Sequence, residues 1–439
     1  MRLKNYFNNQ KGEEKMKDTK TEIKQGITLH SIPTNKFKTN LYAVFLATPL
    51  SKETVTQNAL ITAVLRRGTG NIPSQELISK KLEEMYGASF DCGIEKTGDN
   101  QIIKFYLETI SEDFLPEKEE LSKKCIEILM DIIFNPLREG NGFKQEYVES
   151  EKKNLKQIIE SKIDNKRVYA LERCIEEMFK GEPYGLYRFG YTEDLETITP
   201  QNLYEAYEKL ISECKIDIFV SGTKGDAKIK QWIQENPEIA KLKERKPNYV
   251  VNSEQNNVRE PMEAKVVEEH REVGQGNLVI GLDVNSNNKK AKFITSVYNA
   301  ILGGGANSKL FQNVREKESL AYTAGSTYRR QKNVIFIRCG IEIANYKKAL
   351  ETIKGQLEQI KNGEFSEQDI TNAKQLIMES IQGIEAEQDS EITYYYGQEL
   401  SDTFTSLENY IENIHSVTKQ EVEELAKGIS INTIYFLRD

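Results

Sequence analysis

Ile198–Leu210 reads ITPQNLYEAYEKL and Val417–Ile429 reads VTKQEVEELAKGI, and together these two stretches carry the pattern that decides the fold. Each places a Thr at a helix N-cap, followed by a Pro in the first turn of one stretch and by a Glu that completes a capping box in the other. A β-rich run follows each predicted helix, Ile216–Val220 (IDIFV) in one case and Thr433–Leu437 (TIYFL) in the other. The same helix-then-strand ending therefore occurs twice, which indicates an internal duplication.

Further predicted elements upstream of these endings also occur in pairs and in the same order. The pairs are the long amphipathic helices Phe143–Ile163 and Phe365–Ile384, the helices Leu121–Ile133 and Tyr346–Ile360, the strands Gln101–Leu107 and Asn333–Cys339, the opening strands Tyr42–Ala47 and Asn277–Leu282, and the helices near Ala59–Arg66 and Phe293–Leu302. Two unrelated domains could share this order by chance, but the similar lengths of the paired elements favour duplication.

The repeat predicts an α/β (α+β) fold made of two homologous two-layer units. Since each amphipathic helix has one apolar face to bury, we expect a mostly antiparallel sheet in each unit with helices on one face. The expected division is a polar N-terminal segment at 1–24, a first unit at 25–240, a linker at 241–262 and a second unit at 263–439. The linker is polar and contains Pro247 and Pro261. A length of 439 residues allows two large units, although about 150 residues per domain would also allow three.

Composition narrows the class of protein. The 60 basic and 68 acidic residues give a net charge of -8, so the electrostatic footprint of a nucleic-acid-binding protein is absent. No apolar run approaches the roughly 18 residues of a membrane span, and the first twenty residues lack an apolar signal core. The five cysteines are scattered, without a CxxC pair, which fits reduced thiols. We therefore expect a soluble cytoplasmic protein.

The most specific motif lies in the second unit. Ile301–Phe311 reads ILGGGANSKLF, and Val314–Tyr322 reads VREKESLAY. The Gly-rich segment predicts a tight turn, since neither GxxxxGK[ST] nor GxGxxG is present for phosphate binding. The segment resembles the M16 zinc-metallopeptidase family in its order: this turn, then a short helix, then an Arg-Glu…Leu-Ala-Tyr run that enters a strand. That family includes pitrilysin, insulin-degrading enzyme and the mitochondrial processing peptidase. The resemblance covers about 25–439 and implies a LuxS/MPP-like metallohydrolase fold.

The zinc motif of that family is degenerate here. In the family the first helix of the first unit carries an inverted motif, His-x-x-Glu-His, and the loop that follows this helix ends in a Gly-Thr pair. Counting back from Gly68-Thr69, Ala59, Thr62 and Ala63 stand at the motif positions, and Ile158 stands where the third ligand is expected. None of these side chains is an imidazole, carboxylate or thiolate donor. The three histidines of the chain lie elsewhere, and no GxSxG elbow or Cys–His pair offers other chemistry. The resemblance therefore predicts no metal in this chain.

The other half of the family's active site is retained. Its members use an Arg and a Tyr of the second unit to contact the substrate peptide, and Arg315 and Tyr322 have the same spacing here. A guanidinium can bind a peptide carbonyl or carboxylate through two donors, and a phenol can donate to a developing oxyanion. Alternatively, the Arg pairs with Glu316 or Glu318 and the Tyr only packs. The motif around them favours substrate binding.

These features predict the noncatalytic subunit of a two-subunit M16 peptidase, which is inactive alone. It would bind peptide and complete the active site of a homologous zinc-bearing partner in a heterodimer, so that zinc is expected in the partner subunit. Self-association instead of heterodimer formation stays open. The alternative is a structural or peptide-holding scaffold subunit without a catalytic contribution.

Overall fold

Two main sheets organise the protein, one in each half of the chain. The computed structural model describes residues 19–117, 119–223, 226–252, 259 and 263–439. The first sheet and its short hairpin contain β1 (Thr19–Lys24), β2 (Ile27–Pro33), β3 (Thr39–Pro49), β4 (Ser89–Thr97), β5 (Asn100–Ile110), β6 (Arg138–Glu139), β7 (Gly142–Phe143) and β8 (Lys215–Gly222). The second sheet contains β9 (Lys265–His270), β10 (Gly276–Val284), β11 (Ala321–Arg329), β12 (Val334–Ile341) and β13 (Ile429–Arg438).

The two sheets have the same topology. The first has the order β1-β2-β8-β3-β5-β4 and the second has the order β9-β13-β10-β12-β11, while β6 and β7 pair separately. The β2–β8 and β9–β13 pairs are parallel, and all other pairs in both sheets are antiparallel. Apart from the additional β1, each strand of one sheet thus has a counterpart in the other. This architecture confirms the predicted fold class.

Helices follow the strands in the predicted order. In the first half they are α1 (Val55–Leu65), α2 (Gln75–Glu84), α3 (Leu121–Phe134), α4 (Gln145–Glu160), α5 (Lys166–Met178), α6 (Pro200–Glu213), α7 (Asp226–Glu235) and α8 (Pro237–Lys241). In the second half they are α9 (Ala291–Gly303), α10 (Tyr346–Lys361), α11 (Glu367–Glu385), α12 (Gln388–Glu399), α13 (Leu407–Ser416) and α14 (Lys419–Lys427), with a π-helix at Phe311–Lys317. Within the described residues, no helix combines the length and apolarity that crossing a membrane requires.

Both helices that suggested the duplication begin at the predicted Thr. The Thr199 hydroxyl accepts from the Asn202 backbone N–H, and the Thr418 hydroxyl accepts from that of Glu421. Each partner's side chain in turn accepts from the cap's own backbone N–H, so both caps are capping boxes. Satisfying these backbone donors is worth about 1 kcal/mol at each helix start. The strands that follow, β8 and β13, are central and largely buried.

Each sheet carries its own unit's helices on one face, and a single helix from the other unit covers part of the opposite face. Ile175 and Met178 of α5, in the first half, pack with Phe336 and other apolar residues of the second sheet. Reciprocally, Tyr396 of α12, in the second half, stacks on Phe45 of the first sheet with ring centroids 4.0 Å apart. We call α5 and α12 the crossing helices. Their exchange, which the sequence pattern did not predict, joins the two units through apolar cores.

The expected polar N-terminal segment, 1–24, ends in a strand of the first sheet. Thr19–Lys24 pairs with β2 as an edge strand, and the Lys24 ammonium donates to the carbonyl oxygens of Ile239 and Leu242 at 2.9 and 2.8 Å. Because Lys alternates with Thr and Glu here, the segment reads as polar, yet an edge strand with one solvated side tolerates that pattern. The remainder of the segment, 1–18, lies outside the described residues.

The expected linker, 241–262, is described at 241–252 and 259. Its first part is packed against both units: the backbone N–H of Asn248 donates to Glu213 O at 2.7 Å, and that of Asn252 donates to Leu400 O at 2.8 Å. Asn252 thereby meets the C-terminal end of a crossing helix. Residues 253–258 and 260–262 lie outside the described residues.

Candidate functional site

The degenerate motif positions lie on α1, which packs against α4 and the edge strand β4. Ala59 and Thr62 are buried, and Ala63 is half-buried. The Thr62 hydroxyl donates to the carbonyl of Asn58, one turn earlier, at 2.9 Å, and the Cys92 thiol of β4 lies 3.7 Å from Thr62 O. The helix is apolar on nearly every side at this point, so its motif positions serve packing.

A zinc ion does not fit the side chains at this position. Tetrahedral zinc requires imidazole, thiolate or carboxylate donors, and two methyl groups with one hydroxyl already used in a hydrogen bond supply none. Ile158, at the expected place of the third ligand, is an exposed side chain of α4. Glu160, the carboxylate two residues beyond Ile158, lies on the surface, 3.8 Å from the Lys156 ammonium. Among the described residues, the one group of three potential metal ligands within reach of one another lies elsewhere.

A partly buried ion pair connects α1 with α4. Arg67 follows the end of α1, and its Nη1 donates to Glu151 Oε1 at 2.6 Å, while the guanidinium lies 4.9 Å from the centre of the Tyr147 ring. The second oxygen of Glu151 accepts from the Asn154 side chain at 3.1 Å. The carboxylate that points from α4 towards α1 is thus neutralised by an arginine and by an amide, in the way that structural ion pairs are satisfied.

Arg315 lies on the π-helix Phe311–Lys317 with a side chain that is 42% exposed. Its guanidinium stacks over the Phe311 ring at 4.5 Å, and its Nε lies 3.6 Å from Glu316 Oε1. The buried Val314 on the same helix anchors this turn in the second core. Wide π turns are frequent at functional sites. Stacking fixes the plane of the guanidinium and leaves its edge donors available for a second ligand.

Tyr322, near the start of β11, is 59% exposed. The pairing of β11 with β12 shifts register between Ala321 and Thr323, so an irregularity in the strand turns this side chain outwards. Its hydroxyl donates to Glu342 Oε1 at 3.1 Å. That hydrogen bond, together with the negative charge of Glu342, raises the pKa of Tyr322, so the phenol stays protonated at neutral pH.

Arg315 and Tyr322 lie on either side of one turn. The backbone N–H of Leu320 donates to Val314 O at 2.9 Å, and Ser319 between them has a positive φ of 51°. The structure describes no hydrogen bond, ion pair or ring contact between the two side chains. Both are exposed at one corner of the second unit, and each has a carboxylate neighbour on its own unit. The sequence motif therefore locates two accessible polar groups.

A second polar cluster, which the sequence did not single out, is buried between the units. His30 Nε2 lies 2.9 Å from Asp217 Oδ1, and Lys215 binds the same carboxylate. Glu399, at the end of crossing helix α12, lies 3.6 Å from the Lys215 ammonium and 2.7 Å from that of Lys20. Two ammonium groups thus balance two carboxylates. The period-two pair of Lys215 and Asp217 in an otherwise apolar strand was the available sequence signal.

The cluster has the residue types of a metal site, but its charges are already compensated. Burial alone raises the pKa of Asp217, whereas the charge of Lys215 and the hydrogen bond with His30 lower it, and the net effect is a lowered pKa. The Lys215 ammonium occupies the position that a cation would take beside that carboxylate. The cluster therefore fastens α12 to the first sheet.

Comparison with known proteins agrees with the fold. The family model described as the peptidase M16 inactive domain matches residues 197–377. A Bacillus subtilis protein named probable inactive metalloprotease YmfF is 34% identical over 414 residues, which cover 94% of this chain and 96% of that protein.

Solved structures are also similar over nearly the whole chain. A conserved protein from Enterococcus faecalis shares 28% identity with a TM-score of 0.87, covering 96% of this chain and 99% of its own. A peptidase M16 inactive domain from Pseudomonas fluorescens, at 16% identity, has a TM-score of 0.75 and covers 96% and 98%. The latter likeness is one of fold.

Proposed function

This chain belongs to the M16 peptidase family as an inactive metalloprotease homologue, and from that premise we propose that it is a peptide-binding subunit that completes the active site of a separate, zinc-bearing M16 chain. The observation that carries the proposal is the contrast between the two halves. The first unit has Ala59, Thr62 and Ala63, none of them a zinc ligand, at the motif positions, whereas the second unit keeps Arg315 and Tyr322 accessible to solvent.

The accessibility of these two side chains supports a role in binding. A tyrosine that served packing would bury its ring, yet Tyr322 is among the most exposed large apolar and aromatic side chains of the described residues. Arg315 is stacked on Phe311 and near a single carboxylate, Glu316, which is itself half-exposed. Exposed ion pairs of this kind contribute about 0–1 kcal/mol, so a substrate carbonyl or carboxylate can compete for the guanidinium.

The chemistry of the pair suits an extended peptide whose scissile carbonyl lies beside it. Arg315 would hold a neighbouring carbonyl through two N–H donors and so orient the chain. Tyr322 would donate its phenolic proton to the oxyanion that develops on the attacked carbonyl. Glu342 competes for that proton at 3.1 Å, so the phenol must turn from Glu342 to the substrate as negative charge builds up.

The metal and the cellular location are parts of the same proposal. In this proposal the chain itself carries no cofactor, and the zinc belongs to the partner, whose motif would supply the three ligands and the general base. We place the assembly in the cytoplasm, because the five cysteines of this chain are free thiols and four of them are buried.

Reconstitution tests this function. The purified chain is mixed with a purified M16 chain from the same genome that contains an intact His-x-x-Glu-His motif, and hydrolysis of a quenched fluorescent peptide is followed. We expect cleavage by the mixture and not by this chain alone. Tyr322→Phe should lower kcat about 10²–10³-fold, as expected for loss of an oxyanion donor. Arg315→Ala should mainly raise KM.

Tyr86→Phe is the matched control, because Tyr86 is also an exposed tyrosine, 47% accessible, whose hydroxyl is hydrogen-bonded to a glutamate, Glu119. It should leave kcat unchanged, and light scattering should give the same assembly mass for all variants. If both Tyr322→Phe and Arg315→Ala retain full turnover in an assembled complex, the scaffold function replaces this one. Zinc-dependent cleavage by the isolated chain would contradict the proposal as a whole.

A further inference from the structure

A small cleft lies beside Tyr322 on the face of the second sheet that the crossing helix α5 covers in part. The cleft has a volume of about 280 Å³ and is lined by Asn277, Thr323, Gly325, Arg338 and Gly340, together with Arg167 of α5. We call it the arginine cleft. Thr323 follows Tyr322 directly in β11, so the cleft adjoins the proposed substrate site.

The cleft exists because two neighbouring strands carry glycine at its floor. Gly325 of β11 lies opposite Arg338 of β12 in the pairing register, and Gly340 lies opposite Thr323. A Cβ atom added at Gly340 would lie 2.9 Å from the Gln275 side chain and 3.0 Å from Thr323 Oγ1. Any larger residue at position 340 would therefore fill part of the cleft, so the volume of the cleft depends on glycine at this position.

The arginines at the cleft have no carboxylate partner among the described residues. Arg338 donates to Thr327 Oγ1 at 3.2 Å, and Arg167 makes no hydrogen bond or ion pair within the part of the chain that the structure describes. Partial removal from water, together with the positive charge of Arg329, lowers the pKa of Arg338. The guanidinium groups of Arg167 and Arg338 therefore remain available to an anionic ligand.

We propose that the arginine cleft binds a carboxylate of the peptide, either its C-terminal group or an Asp or Glu side chain. Guanidinium groups bind carboxylates through paired N–H donors, and Arg167 and Arg338 approach the cleft from a helix and from the sheet floor. A volume of about 280 Å³ suits one side chain or chain end rather than a drug-sized ligand, which needs roughly 300–1,000 Å³. The inference rests on the proposed peptide binding and defines the substrate class as acidic peptides.

Calorimetric titration of the full chain with short synthetic peptides of one sequence tests the assignment. One peptide has a free C-terminal carboxylate and an internal Gln, a second has a C-terminal amide and an internal Glu, and a third has both the amide and Gln. We expect either carboxylate peptide to bind about tenfold more tightly than the third, by charge-assisted hydrogen bonding. The peptide that binds more tightly than the uncharged one shows whether the carboxylate comes from the C-terminus or from a side chain. The gain should shrink between about 50 and 500 mM NaCl because salt screens exposed charges.

Arg338→Gln should bring the carboxylate peptides to the affinity of the uncharged one. Arg167→Gln gives an independent test, because Arg167 is an exposed side chain whose replacement leaves the sheet intact. Arg138→Gln is the control, since this exposed arginine lies beside Tyr204 in the other unit. Equal affinity for all three peptides would overturn the proposal that the arginine cleft binds a carboxylate. An equal loss of affinity for all three peptides in Arg338→Gln would overturn it as well. Either result would leave the proposed peptide binding in place. Failure of every peptide to bind overturns both proposals.

Discussion

Replacing Glu269 by Gln should weaken the contact between the edge strand β9 of the second sheet and the crossing helix α5. The carboxylate accepts from the hydroxyl groups of Tyr169 and Tyr435 at 2.6 and 2.9 Å. It also accepts from Nε of Arg173 and of Arg271, both at 3.0 Å. Tyr169 and Arg173 lie on α5, whereas the other two donors belong to the second unit. One carboxylate therefore connects the two units.

The contribution of the Glu269 carboxylate to the free energy of unfolding follows from its pKa. Burial raises the pKa of Glu269, but the four hydrogen bonds outweigh burial and lower it from 4.5 to about 2. A pKa lowered by about 2.5 corresponds to at most about 3.4 kcal/mol at about 1.36 kcal/mol per pH unit. Since solvent reaches part of the carboxylate, we expect about 1–2 kcal/mol. Because the folded pKa is the lower one, this stabilisation is complete above pH 4.5 and is lost as the pH falls towards 2.

Urea unfolding at neutral pH and at about pH 3 measures this contribution. Far-UV circular dichroism follows both units, and Trp232, the single tryptophan of the chain, reports on the first unit from α7. Glu269→Gln should lower the midpoint at neutral pH and have a smaller effect in acid. Glu268→Gln is the control, because Glu268 is 39% exposed and its ion pair is a single contact with Arg438 at 3.2 Å. Equal effects of the two substitutions, or a loss that does not depend on pH, would refute this reasoning.

Two further predictions concern buried polar groups at the same junctions. The hydroxyl of Tyr396 is buried without a hydrogen-bond partner among the described residues, so Tyr396→Phe should leave the urea midpoint unchanged or raise it. Tyr435→Phe removes a hydrogen-bond donor to the carboxylate of Glu269 and should lower the free energy of unfolding by about 1–3 kcal/mol. Equal urea midpoints for Tyr396→Phe and Tyr435→Phe would contradict this contrast. Asp217→Asn should lower the free energy of unfolding by about 3–5 kcal/mol, because it leaves Lys215 buried beside an uncharged amide. An unchanged urea midpoint in that variant would show that the cluster does not stabilise the fold.

The sequence predicted the repeated elements because their signals are local. The capped helices began at the expected Thr199 and Thr418, and the predicted strand Asn333–Cys339 appears as Val334–Ile341. The crossing helix α12 was missed for a physical reason. Helix α12 contains three consecutive tyrosines, Tyr394–Tyr396, which point around the helix, so no single apolar face marks it.

The candidate site was predicted by resemblance and not by a physical pattern. Nothing in the local sequence around Arg315 or Tyr322 distinguishes them from other exposed residues, and the surrounding motif supplied the assignment. The arginine cleft could not be predicted, because Arg167 lies far in sequence from Arg338 and the two meet through the crossing of α5. The sequence placed the polar segment's end at residue 24 because an exposed edge strand such as Thr19–Lys24 lacks apolar alternation.

The exchange of crossing helices has a consequence for the order in which the protein can fold during synthesis. The first sheet is complete in the nascent chain once Gly222 has been made, but Phe45 and Phe219 stay uncovered until α12 has followed. The roughly 180 residues in between take about 10–35 s at ribosomal speeds of about 5–20 residues per second. During that interval the first unit presents an apolar sheet face to the cell. The first-made half of this protein therefore depends on its last-made half for protection against aggregation.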